Sequence, residues 1–168
     1  MSHSEQATTN RSTPRIDPRG PRFGAGITAV LLLVVVFLGL IGVTTAATVL
    51  LSALSLLFLW GAAAGIARHP WGLIYKRLVR PRLSPPEELE DAAPPTFAQA
   101  VGFVITAIAV VLQLVGVPYA AVVGAALAFV AAFLNAVFGY CLGCQIYLLL
   151  LRVGVIRRGQ PQGERSPG

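Results

Sequence analysis

Four long apolar runs alternate with polar stretches along the chain, from Phe23 to Val43, Ala46 to Ala67, Phe97 to Val117, and Tyr119 to about Tyr140. A helix needs about 20 apolar residues to cross the hydrocarbon core of a bilayer, and each run meets that length. Only Thr44 and Thr45 separate the first two runs, and Val115-Gly116-Val117-Pro118 turns the chain between the last two. Such short connections hold neighbouring helices antiparallel. The pattern therefore predicts an all-α polytopic membrane protein with four transmembrane helices arranged as two hairpins. None of the runs has the polar face that a soluble helical bundle needs.

Polar sequence frames this apolar middle. Residues 1–22 and 153–168 are rich in Ser, Thr, Pro, Arg and Gly and are expected to be disordered tails, leaving a transmembrane domain over 23–152 with a polar loop at 68–96. About twenty polar residues precede the first run, and the run is too long for a signal-peptide core, so it reads as a retained helix. The composition agrees, with 55% hydrophobic and only 12% charged residues.

The charge of +6 is placed one-sidedly. Arg11, Arg15, Arg19 and Arg22 precede the first span, Arg68, Lys76, Arg77, Arg80 and Arg82 lie in the central loop, and Arg152, Arg157, Arg158 and Arg165 follow the last span. The two hairpin turns carry no charge. Basic loops stay on the cytoplasmic side, so both termini and the central loop are expected there, in a multi-pass protein of the cell membrane. Within "RHPWGLIYKRLVRPRLSPPEELEDAAPPTF", Trp71, Leu73, Ile74, Tyr75, Leu78 and Val79 are mixed with basic residues. That mixture suits a segment lying among lipid headgroups, with anionic lipid at Arg77, Arg80 and Arg82; a purely topology-setting role for these charges stays open. No base-stacking or helix-turn-helix pattern accompanies them, which argues against nucleic acid.

A short similarity recurs at an offset of 74 residues: "DPRGPRFGAG" from Asp17 and "DAAPPTFAQA" from Asp91 share Asp, then Pro21 or Pro95, Phe23 or Phe97, and a small residue at Gly24 or Ala98. Both copies begin on the same side, as in a tandem parallel repeat of one hairpin. Acidic residues and prolines also favour helix starts for local reasons, so convergence stays open. The same shift places Cys141 over Ala67 and Cys144 over Pro70, making His69 a neighbour of the cysteines.

Cys141 and Cys144, in "GYCLGCQIYLLLLR", are the chain's only cysteines. From Tyr119 to Leu151 the hydrophobic stretch runs 33 residues, about 50 Å as one helix and longer than the roughly 30 Å core. A break near Gly139 is expected, with "QIYLLLLR" along or oblique to the interface. Cysteines three apart on a helical turn are close enough to pair, and a helix restarting there favours a thiolate. A reducing cytoplasm argues against a permanent bridge, so a reversible redox or sulfur-carrying pair is expected. Packing of two small apolar side chains is the alternative. Gln145, one turn beyond Cys141, has an amide able to donate to a thiolate or persulfide.

Little else carries chemistry. No ionisable side chain lies inside a span, which disfavours a pump built on buried charge. Gln99, Gln113 and Asn135 are expected to bond between helices. A structural zinc wants four ligands, and two cysteines with His69 fall short without a second copy. No cofactor or metal centre is implied, and nothing in the pattern fixes an oligomeric state.

"DPRGPRF" before the first span, "LIYKRLVRPRL" and "ELEDAAPPTFAQAVG" before the third, and "LNAVFGYCLGCQIYLL" at the end together resemble the bacterial integral membrane family called domain of unknown function 4395, over about 15–152. The C-L-G-C block of Cys141 to Cys144 is its most specific part; the "HPW" corner at His69 does not carry the resemblance. The family has no established activity. Its members resemble accessory components found beside thioredoxin-like proteins and sulfurtransferases, which implies a thiol or sulfur-handling role, such a protein as partner, and a bacterial cell membrane. Three readings remain: thiol-disulfide exchange or sulfur relay through Cys141 and Cys144 with His69 and Gln145 in support, a small transporter component for a sulfur-containing solute, and a membrane scaffold.

Overall fold

The computed structural model of the chain describes residues 15–86 and 88–155. In order it contains β1 (Arg15–Ile16), α1 (Arg19–Leu40), α2 (Thr44–Ala64), a 3-10 turn (Ile66–Arg68), α3 (Pro70–Ile74), a π turn (Tyr75–Val79), a second 3-10 turn (Arg80–Arg82), β2 (Glu90–Asp91), α4 (Ala93–Leu114), α5 (Ala120–Phe138) and α6 (Leu142–Arg152). The four long helices α1, α2, α4 and α5 are each long and apolar enough to cross a membrane, and the chain is a multi-pass membrane protein. Their outward faces carry bare apolar side chains such as Val30, Phe37, Leu56, Val104 and Val123, as contact with lipid requires.

The helices begin and end up to four residues from the boundaries that hydrophobicity alone suggests. Asp17 and Asp91 explain the two early starts: each carboxylate Oδ1 accepts a backbone N–H two residues on, from Arg19 and Ala93, both at 2.9 Å. A helix leaves its first N–H groups without internal partners, so a side chain that supplies an acceptor sets the start, whatever the polarity of the next residues. Residues 15–22, expected in a disordered tail, instead form β1 and the opening of α1. β1 pairs antiparallel with β2, Arg15 opposite Asp91 and Ile16 opposite Glu90, and so ties the two helix starts together. The rest of the expected tails, 1–14 and 156–168, lies outside the described residues, and the loop expected over 68–96 contains α3, β2 and the first turn of α4.

The turns after α1 and α4 are built alike. Val43 N–H donates to the Leu38 carbonyl and Val117 N–H to the Leu112 carbonyl, both at 2.9 Å. Gly42 and Gly116 supply the positive φ, 83° and 91°, that such a close needs. α1 and α4 are both 22 residues long and begin and end 74 positions apart.

In the bundle α1 packs most extensively on α5 and α2 on α4. Leu32, Val35, Leu51, Leu54 and Ala125 fill the centre, each 2% exposed or less. Small residues allow the close approach: Gly39 faces Val122, and Gly124 faces Ala109. Among lipids, where there is little hydrophobic drive between helices, such contacts and interhelical hydrogen bonds carry association. Gln113 makes one of those bonds, its Oε1 accepting the Ala121 N–H at the start of α5 at 3.1 Å.

Candidate functional site

Two broken helix ends meet one cavity. The first break follows α5. Gly139 adopts the left-handed region, φ 67°, while its N–H donates to the Asn135 carbonyl and that of Tyr140 to Leu134. The chain then extends through Cys141 and restarts as α6, as the excess length of the apolar stretch demands.

Cys141 is the N-cap of α6. It forms a disulfide with Cys144, their Cα atoms 5.2 Å apart, and its Sγ accepts the Cys144 N–H at 3.3 Å. A sulfur at this position faces the partial positive charge of the helix N-terminus, so the same place stabilises a thiolate when the bridge is open. The guanidinium of Arg22, on α1, lies against the Gly139 backbone two residues upstream and adds a full positive charge to the corner. Gly143 rests on Ala98 of α4, and the Phe97 and Tyr147 rings meet at 5.6 Å, so α6 is clamped to the bundle beside the cysteines.

The second break follows α2. Gly65 takes φ 83° and ψ 150°, a conformation that side-chain-bearing residues avoid. Ile66 N–H then donates to Thr96 Oγ1 at 3.2 Å, and His69 starts α3. His69 is 4% exposed. Its Nδ1 accepts the Trp71 N–H at 3.4 Å, and its ring also faces the Leu57 carbonyl of α2. Burial holds its pKa below the ordinary imidazole value, the Leu57 carbonyl opposing weakly. A neutral ring with Nδ1 as acceptor carries its proton on Nε2.

The cavity between these corners has a volume of about 510 Å³, and both His69 and Cys141 line it. The lining is mainly apolar, with Phe58, Ile105 and Leu127, and is interrupted by the polar groups of Thr28, Gln99 and Asn135. Arg15, Lys76 and Arg80 contribute basic groups to its lining and Asp17 an acidic one. Gln99 Oε1 is buried with no hydrogen-bond partner among the described residues. A Cβ built on Gly61 would lie 2.9 Å from both that oxygen and His69 Cδ2, so the two side chains converge over this glycine.

Of the residues singled out from sequence, Cys141, Cys144 and His69 are therefore brought to one region. Gln145 gives its backbone N–H to the Cys141 carbonyl at 3.1 Å; its side chain is exposed on α6 and does not line the cavity. Arg77, Arg80 and Arg82 are exposed beside the exposed Leu73, Ile74 and Leu78. Tyr75 fastens that segment down: it is 3% exposed, and its hydroxyl donates to Asp17 Oδ2 at 3.0 Å. Burial first, then this carboxylate, push its pKa up. Among the described residues no three of His, Cys, Asp and Glu gather as a metal would require. Sequence reading missed Gly61, Gly65 and the Arg22 contact; the one available signal was that Gly65 lies 74 positions before the glycine already expected to break the last span.

The family model described as domain of unknown function (DUF4395) matches residues 16–152, from β1 to the end of α6. No curated protein and no solved structure matches the chain.

Proposed function

The chain belongs to the DUF4395 family, and on that footing we propose that it is a membrane component for thiol-disulfide exchange or sulfur relay, with Cys141 and Cys144 as the reacting groups. The observation that carries this reading is the position of Cys141, an N-cap sulfur paired with Cys144 and lining a cavity. Exchange proceeds through a mixed disulfide, one cysteine attacking and the other resolving. The N-cap position favours Cys141 as the attacking thiolate. His69 supports the site as a neutral brace holding α3 against α2, and Gln145 by steadying the first turn of α6.

The charge distribution supports cytoplasmic termini, which puts the pair within reach of a soluble thioredoxin-like protein or sulfurtransferase. The exposed Arg77, Arg80 and Arg82 suit anionic headgroups at that surface. The matched turns and equal helices 74 positions apart favour a parallel duplication of one hairpin, the two halves contributing the His69 and Cys141 corners respectively. The cavity itself favours a second reading, passage of a sulfur-containing solute gated by the cysteines. A Cys141→Ser, Cys144→Ser double variant separates them, abolishing exchange while only altering transport.

Labelling with membrane-permeant and impermeant maleimides, in cells and in inside-out vesicles, tests the reading. Impermeant labelling confined to inside-out vesicles and increased by mild reduction is expected. Thiols that resist even permeant reagent after reduction, in detergent-opened membranes, are packing residues.

A further inference from the structure

We propose that the cavity beside Cys141 binds the ring of a lipid-soluble quinone, which accepts the two electrons released when Cys141 and Cys144 pair. This rests on reading the pair as an exchange site. An exchanging pair that is left as a dithiol by its partner needs an oxidant, and a membrane-embedded site draws most directly on a two-electron acceptor dissolved in the bilayer.

The cavity suits such a molecule in size and lining. Its volume of about 510 Å³ falls in the roughly 300–1,000 Å³ span of small-molecule sites, which are mostly apolar with a few placed polar groups. Phe58, Ile105 and Leu127 give an apolar bed, and the ring edge of Phe58 lies close over Gly102. The polar groups match both oxidation states. A quinone carbonyl accepts from an amide N–H, and a quinol hydroxyl donates to an amide oxygen; Gln99 and Asn135 offer both kinds of atom. Gln99 Oε1 is buried beside Gly61 with no hydrogen-bond partner among the described residues, and a rotation of that amide toward the cavity would let it accept the quinol O–H. Arg15, Asp17, Lys76 and Arg80 also line the cavity, and the ring is assigned to its uncharged groups Thr28, Gln99 and Asn135.

Cys141, not Cys144, lines the cavity, which assigns the order of events. The Cys141 thiolate adds to a ring carbon of the quinone, forming a C–S bond and leaving the electron pair on the ring oxygen. The Cys144 thiolate then attacks Cys141 Sγ, forming the S–S bond and breaking the C–S bond, whose electron pair stays on the ring. The two protons given up by the thiols end on the ring oxygens. The sum is one dithiol and one quinone going to one disulfide and one quinol.

The test uses full-length protein in nanodiscs, carrying Trp60→Phe so that Trp71 on the cavity wall is the sole tryptophan. After reduction and removal of reductant without oxygen, a ring-substituted decyl benzoquinone is added. Saturable quenching of Trp71 is expected, with one quinol formed per disulfide closed. Gln99→Leu and, separately, Asn135→Ala should each weaken binding about tenfold, the loss of a hydrogen bond to a buried group. Non-saturable quenching, or disulfide closure at the parent rate in both variants, overturns the proposal. The same preparation is equilibrated with glutathione buffers. A pair that responds to glutathione but not to quinone removes the quinone site and leaves exchange standing; a pair that responds to neither removes both.

Discussion

Gly143 of α6 sits directly on the backbone of Ala98 in α4, so close that a Cβ on Gly143 would lie 2.6 Å from Ala98 Cα. The neighbour is main chain and cannot rotate away. Gly143→Val should therefore push α6 off the bundle, at a cost of about 1–3 kcal/mol. A lowered midpoint of thermal unfolding in detergent, with faster alkylation of reduced Cys141, is the expected result. Ala98→Gly should restore only part of the loss.

Gly65 and Gly139 break the two chain segments in different ways, and alanine should tell them apart. Gly139 lies near φ 67°, ψ 15°, where alanine is strained by about 1–2 kcal/mol. Gly65 lies at φ 83°, ψ 150°, a region kept almost wholly for glycine. Among the described residues no atom beyond its chain neighbours stands within 4 Å of a Cβ there, so its cost is backbone strain. Gly65→Ala is expected to lower the unfolding midpoint more than Gly139→Ala when the displaced Arg22 side chain is first removed by Arg22→Ala in both backgrounds.

His69 makes the fold sensitive to acid. Its folded-state pKa is depressed by burial from the ordinary value of 6.5, so just below that pH the unfolded chain holds more protons than the folded one. The contribution of neutral His69 is full above about 6.5 and is lost as pH falls through the folded-state pKa. His69→Asn retains an N-cap acceptor but does not titrate. Unfolding midpoints measured from pH 7.5 down to about 5 should fall more steeply for the parent than for His69→Asn.

The Tyr75 hydroxyl ties the basic segment to Asp17, just before α1, alongside the bond from the Arg19 guanidinium to the Ser84 carbonyl. Removing it in Tyr75→Phe leaves the ring contact with Phe23, 5.8 Å between centroids, but strands a carboxylate oxygen. A loss of about 1–2 kcal/mol is expected, with faster proteolysis between Lys76 and Arg82 while α1 stays protected.

The four spans were legible because bilayer thickness makes hydrophobic length a direct measure. The break at Gly139 was legible for the same reason, since an apolar stretch from Tyr119 to Leu151 is too long for one crossing. Helix starts were read too late because Asp17 and Asp91 set them through side-chain acceptors, which an apolarity pattern does not register. The cysteine pair stood out by its spacing. Gln99 was read as an ordinary interhelical partner, and nothing in the sequence separates it from Gln113. The side-chain oxygen of Gln113 finds the Ala121 N–H and that of Gln99 has no partner among the described residues, a difference made by tertiary packing alone.

The central claim is that Cys141 and Cys144 form a reversible redox pair. The most direct measurement is equilibration of the intact protein in nanodiscs with graded glutathione redox buffers, followed by alkylation with a mass-tagged maleimide. The account predicts one two-electron transition in which both cysteines change together, and its loss in Cys141→Ser or Cys144→Ser. Thiols that stay fully alkylated at every ratio, or a bridge that opens only after denaturation, would contradict it.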